Sequence, residues 1–201
     1  MKIVPLDHGL SAYIAKSPGT RSTGLHMSDI YSDLYCDLEP NRFRRGSAPD
    51  PLLLAMGLSW EQYIDRCTDQ RNRDFPQGEQ VERPGEMIHI ENGQEIAYSP
   101  DQIIFNGVTT LGEIKWTGSS SKDVPREAAN SFPPHFDRYF TQMMAYCHCL
   151  GTPYARLLIM FPNRYPRPAE LLCWSITFSK REIAENWSML MTHAKHKGML
   201  L

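Results

Sequence analysis

The stretch Ser99-Pro100-Asp101-Gln102-Ile103-Ile104-Phe105-Asn106-Gly107, continuing Val108-Thr109-Thr110-Leu111-Gly112-Glu113-Ile114-Lys115-Trp116, decides how the rest of the chain is read. A polar turn leads into an apolar run. Asn-Gly interrupts it, and a second run ends in Glu-x-Lys. Asn-Gly between two apolar runs is a hairpin signal. Residues two apart on a strand share a face, so Glu113 and Lys115 point the same way. Asp101, at the start of the first strand, is brought beside them across the ladder. Two carboxylates and a lysine on one patch make a divalent-metal site with a cation next to it. Unpaired charges are costly to bury, so such a set implies metal or substrate. Taken by itself, Glu-x-Lys on a strand is also a common surface cross-strand pair.

The totals bound the alternatives. A chain of 201 residues suits one domain with a substantial core. Apolar and charged fractions of 41% and 22% are those of a soluble globular protein. No apolar run approaches the ~20 residues a membrane helix needs, and the first residues lack the apolar region of a signal peptide. The five cysteines, odd in number and without C-x-x-C, are expected as reduced thiols of a cytosolic protein. A net charge of −2 does not by itself suggest nucleic acid. An acidic site neutralised by cations escapes that objection, because only a local groove need be basic.

Outward from the hairpin, the chain divides into an irregular arm (1–20), a core (21–161), and a closing strand and helix (162–201). Ser28 or a neighbour caps a helix over Ile30, Tyr31, Leu34 and Tyr35. Arg21, the Ser28 hydroxyl and His26 at that N-terminus form a phosphate seat. A capped helix with a solvated Arg21 is the plainer alternative. Arg42, Arg44 and Arg45 make 39–50 a basic loop. Asp50-Pro51 opens a helix whose Leu53, Met56, Trp60 and Ile64 form a core-facing stripe. Glu61 lies beside that stripe, as a solvated edge residue or an inward ligand. Residues 68–85 read as a polar loop, followed by strands 87–90 and 95–98 around a turn. The long loop 117–134 carries Lys122 and Arg126 and is a candidate substrate-contacting flap. His135 to Leu150 is helical, with Gly151 as its stop. On it Gln142 and Tyr146 project side by side. Strands 154–161 and 170–178 and a helix over 180–195 follow. Strands, a crossover helix and a further strand predict an α/β fold, a mixed sheet flanked by helices. His193-x-x-His196 and Cys147-His148-Cys149 lack a complete four-ligand zinc set.

These residues carry a resemblance. Pro100-Asp101 with Glu113-Ile114-Lys115 resembles the signature of the PD-(D/E)XK nucleases. Gln142-Met-Met-Ala-Tyr146 resembles the Q-x-x-x-Y motif of their RecB-like and CRISPR-associated branch. Met56-Gly57-Leu58-Ser59-Trp60-Glu61 resembles the helix that brings the first acid. Arg21-x6-Ser28 is similar to the terminal-phosphate pocket of the lambda exonuclease group of phage recombination nucleases. Iron–sulfur members of the superfamily place their cysteines differently, so no cluster is expected. No helicase motif is present either.

The resemblance implies a restriction-endonuclease-like core and a Mg²⁺- or Mn²⁺-dependent deoxyribonuclease. Glu61, Asp101, Glu113 and the Ile114 carbonyl would hold the metal, with room for a second. Such hard oxygen donors suit either ion. Lys115 would orient or deprotonate the attacking water, or hold the phosphate. Gln142 would hold the nucleophile or Lys115, and Tyr146 would pack against the DNA backbone. His26 fills either the family's histidine position near the first acid or the pocket of Arg21 and Ser28. The implied activity is digestion of DNA from an end, with an annealing protein and a homo-oligomeric ring as implied partners. The setting would be the cytoplasm, that of the host for a phage enzyme. A nicking or junction-cutting endonuclease and a non-catalytic DNA-binding member are the alternatives. All of Asp101, Glu113 and Lys115 are present, which favours an enzyme.

Overall fold

The structure is a computed structural model, and it describes residues 22–43, 45, 51–126, 132–163 and 167–201. Helix α1 (Met27–Leu38) is followed by a long α2 (Pro51–Asp74). Strands β1 (Gln80–Glu82), β2 (Met87–Glu91), β3 (Gln94–Tyr98), β4 (Gln102–Phe105) and β5 (Thr109–Trp116) come next. A 3-10 turn (Pro134–Phe136) leads into α3 (Asp137–Leu150). The order ends with β6 (Tyr154–Phe161), β7 (Glu170–Thr177) and α4 (Lys180–His196).

The fold is α/β. A five-stranded sheet runs β1-β4-β5-β6-β7, antiparallel except for the parallel β5–β6 pair. A parallel pair needs a crossover, and α3 lies within it. Strands β2 and β3 form a separate hairpin. Its turn places Asn92 and Gly93 at φ 50° and 84°, the left-handed pair that matches hairpin twist. The hairpin meets the segment just ahead of α1, where Ala97 N–H donates to Leu25 O at 2.9 Å.

Alternation along the strands sends side chains to two helical layers. Leu111, Leu157, Ile159 and Phe161 share a core with Met27 and Ile30 of α1, Met143 of α3 and Leu190 of α4. The other face turns Ile104, Gly112 and Leu158 toward Ile64 and Thr68 of α2, around a cavity of about 160 Å³. Gly112 is required there: a Cβ on it would lie 2.8 Å from Gln102 Cβ on β4.

Three expectations are corrected. His26, not Ser28, caps α1, and its N–H donates to Asp29 Oδ2 at 3.1 Å. Helix α2 runs on to Asp74 through the stretch expected as loop, and β1 follows where loop was also expected. The polar side chains of that turn are ties: Asn72 Nδ2 donates to Val81 O at 2.8 Å, and Arg83 pairs with Asp65 and Asp69. Helix α2 is also less core-facing than its stripe implied. Ile64 is buried, but Leu53 and Met56 are 50% and 49% exposed. Among the described residues no helix is long and apolar enough to cross a membrane.

Candidate active site

The Ser99-Pro100-Asp101 break ends β3 and starts β4, and places Asp101 beside the middle of β5. Asp101 Oδ2 accepts from the Ile114 backbone N–H at 2.6 Å. On β5, Glu113 and Lys115 share a face, as period two requires. Lys115 Nζ is ion-paired with Glu113 Oε1 and lies 3.7 Å from Asp101 Oδ2. Gln142 Nε2, on α3, donates to the same Glu113 Oε1 at 2.6 Å. Glu113 is 1% exposed, and its second oxygen, Oε2, has no hydrogen-bond partner.

Glu61 on α2 is coupled to the group through charge, with Asp101 and Lys115 both acting on it. Burial, reinforced by the charge of Asp101, pushes its carboxyl up to about 7. Burial and then Asp101 push Glu113 up to about 8. Burial works against the Lys115 ammonium, but the charges of Glu113 and Asp101 outweigh it and hold it above the ordinary lysine range. Three carboxyls face one ammonium, so the fully ionised site is short of positive charge. Carboxylate oxygens of this kind suit a hard divalent cation, but among the described residues the ligand atoms of Glu61, Asp101 and Glu113 do not all lie within 4.8 Å of one another, so a bound ion would have to draw them together.

Residues whose role sequence reasoning did not single out form the wall. Burial pushes the Tyr31 hydroxyl on α1 up to about 12, with Lys115 and Glu113 both acting on it. Tyr139, on α3, puts its ring 5.9 Å from Lys115 Nζ. Asp65, one turn beyond Glu61, also feels the charge of Asp101, but it is held by Arg83 at 3.5 Å. Its i,i+4 spacing from Glu61 was the available signal.

Other expected site residues lie elsewhere or play other parts. Tyr146 is 4% exposed, its ring 5.6 Å from that of Tyr98. It packs beneath the site and cannot lie against a DNA backbone. The turn after Gln142 points inward, because that face of α3 covers the sheet. The buried His26 ring is engaged by Ser22, at 3.2 Å from its Oγ, and by Glu86 at 3.5 Å. It is a structural cap rather than an open phosphate contact. Ser28 sits half-buried in the first turn of α1, and Arg21 lies outside the described residues. Arg126 is paired with Glu170 at 2.7 Å, which ties the loop to β7. Lys122 is exposed on the same loop.

Among the described residues, the one group of three acids or histidines whose ligand atoms lie within 4.8 Å of one another is Asp33, Asp37 and His193. Arg45 pairs with both aspartates and Lys197 with Asp37, so the two carboxylates are already balanced by two cations. That cluster ties α1 to α4.

No protein-family model matches the chain, and no curated protein matches it in sequence. Solved structures do match. The protein SSO0001 aligns with a TM-score of 0.52 at 14% identity, over 91% of this chain and 86% of its own. LHK-Exo, an alkaline exonuclease from Laribacter hongkongensis, aligns with a TM-score of 0.48 at 17% identity, over 92% of this chain and 85% of its own. LHK-Exo in complex with dAMP gives 0.46 at 17% identity, over 92% and 84%. At such identities the likeness is one of fold.

Proposed function

We propose that the chain is a divalent-metal-dependent deoxyribonuclease that hydrolyses phosphodiester bonds from DNA ends, with its residues acting as one domain. One observation carries this reading. Glu113 is buried with one oxygen held by Lys115 and Gln142 and the other unpartnered, and the charges of Asp101 and Glu61 act on it. A structural ion pair would leave neither an orphan oxygen nor an excess of carboxyls.

Glu61, Asp101, Glu113 and the Ile114 carbonyl would hold Mg²⁺ or Mn²⁺. A divalent ion bound there would acidify water and offset charge on the scissile phosphate. The protein's own residues supply the positioning. Asp101, clasped to the Ile114 N–H, fixes the height of its carboxylate against β5. Gln142 holds Oε1 of Glu113 and so fixes the orientation of its carboxylate. Lys115, held in its charged form by two carboxylates, orients the attacking water and donates to a phosphate oxygen. The buried Tyr31, Tyr146 and Met143 exclude bulk water from beneath the site. Attack from an end is supported by the Arg21-x6-Ser28 motif, since Ser28 lies one turn before Tyr31 on α1.

The test compares end-labelled linear duplex with closed circular DNA, with and without Mg²⁺. Linear DNA should be degraded only with metal, and faster when its 5′ ends are phosphorylated. Equal cutting of circles overturns the end-directed version in favour of an endonuclease. Lys115→Ala should lower the rate by roughly 10²–10⁴-fold while far-ultraviolet circular dichroism shows the fold kept. Activity retained in that variant overturns the nuclease assignment.

A further inference from the structure

Arg138 is the second residue of α3, one helical turn before Gln142 and on the same ridge of the helix. Its guanidinium carbon lies 5.5 Å from the Tyr31 ring centroid and 5.1 Å from that of Phe43. Nη2 donates to Ser32 Oγ at 3.0 Å. The side chain is therefore held by two rings and a hydroxyl, with the fork of its remaining N–H donors uncommitted. Its location is functional ground: Tyr31 is acted on both by Arg138 and by the charges of Glu113, Lys115 and Asp101. The next residue, Tyr139, puts its ring against Lys115.

What distinguishes Arg138 is the lack of an ion-paired acid, although Asp137 and Glu39 are near enough to act with it on Tyr35. Among the described residues, Arg42, Arg45, Arg71, Arg83, Arg126, Arg156 and Arg181 each have a carboxylate within ion-pair distance, and Arg138 has none. Of the other described arginines without one, Arg66, Arg73 and Arg167 are exposed, whereas Arg138 is partly buried. A partly desolvated guanidinium with free donors is a seat for an anion, and its planar fork matches a phosphate. The first turn of α3 adds its positive dipole end.

We infer that Arg138, held between Tyr31 and Phe43 by Ser32, binds a DNA backbone phosphate adjoining the scissile bond and so sets how firmly and in what register the strand lies across Glu113 and Lys115. This rests on the nuclease reading above, but it concerns binding and is measured without cleavage. A phosphate contact carries no base information, so it strengthens binding alike on all sequences.

The experiment measures anisotropy of a labelled duplex with Ca²⁺ in place of Mg²⁺, over a series of KCl concentrations. Arg138→Gln should raise Kd about tenfold and lower the salt slope of log K by about 1. A duplex with one neutral methylphosphonate linkage beside the cleaved bond should weaken wild-type binding equally and cost the variant nothing further. Arg138→Lys keeps the charge and loses the fork. It should keep the wild-type slope with a smaller rise in Kd, and it serves where Arg138→Gln does not fold. With Mg²⁺, KM should rise more than kcat falls. If Kd, slope and methylphosphonate response match wild type in the folded variants, Arg138 is only a packing tie and the inference is overturned. Wild type that binds DNA in this Arg138-dependent way but never cleaves it overturns the nuclease reading alone. Absence of DNA binding by wild type overturns both.

Discussion

Glu113 concentrates the chemistry of the molecule in two atoms. Oε1 is committed to Lys115 and Gln142, while Oε2 is buried without a partner. A buried, unpaired polar atom costs stability unless something binds it. Mn²⁺ should therefore raise the melting temperature, with stabilisation of about 2.7 kcal/mol at a hundredfold excess over Kd. Asp101→Asn and Glu113→Gln should each abolish that rise, as read by thermal melts in Mn²⁺ against chelator. An unchanged rise in both variants would place the ion elsewhere. Glu-x-Lys was legible in the sequence as a shared face, because period two is a property of any strand. The contact with Gln142 was not, since it joins residues far apart in the chain. Nor was the burial of Tyr146: i,i+4 spacing says that two side chains lie side by side, not which of them meets the sheet.

The β4–β5 hairpin and α2 decide how close the acids come. Gly112 permits the approach: a Cβ there would meet Gln102 Cβ at 2.8 Å and Ile104 Cδ1 at 3.3 Å. Gly112→Ala should destabilise by about 1–3 kcal/mol, the range for overpacking a tight core. It should also lower activity, because the same ladder sets Asp101 against Ile114. Urea midpoints and rates check both, and a neutral result would show that the strands yield. Helix α2 was legible up to Ile64 and then misread. Polar residues at 68–74 look like a loop because they carry no apolar stripe. They stay helical because Asp65, Asp69, Arg71 and Asn72 find partners on Glu79, Val81 and Arg83.

Those same ties hold α2 to the far side of the sheet. Glu79 receives Arg156 of β6 at 2.6 Å and Arg71 of α2 at 3.1 Å. Hydrogen bonding from Arg156, with further help from Arg71, lowers its carboxyl from 4.5 to about 2. The folded value lies below the unfolded one. The stabilisation is therefore present above about pH 4.5 and is lost as the pH falls toward 2. Glu79→Gln should cost about 1–2 kcal/mol at neutral pH, discounted for the solvent exposure of both arginines. The wild-type advantage should vanish by about pH 2, as read from melts across the acid range. An advantage constant with pH would show that Glu79 acts by packing alone.

By itself the sequence determined what is local. Strand alternation put Glu113 and Lys115 on one face, Asn-Gly placed the hairpin turn, helical spacing set Gln142 with Tyr146, and the order of elements specified an α/β mixed sheet. Periodicity states which side chains share a face and is silent on what covers that face. Only the tertiary structure decided the rest. It brought Gln142 onto Glu113, sank Tyr146, turned His26 into a cap, drew Arg126 away to Glu170, and set Arg138 between two rings beside the site. Apart from the local His26 cap, each of those is a contact between distant segments, chosen by burial and charge pairing once the sheet and helices have packed.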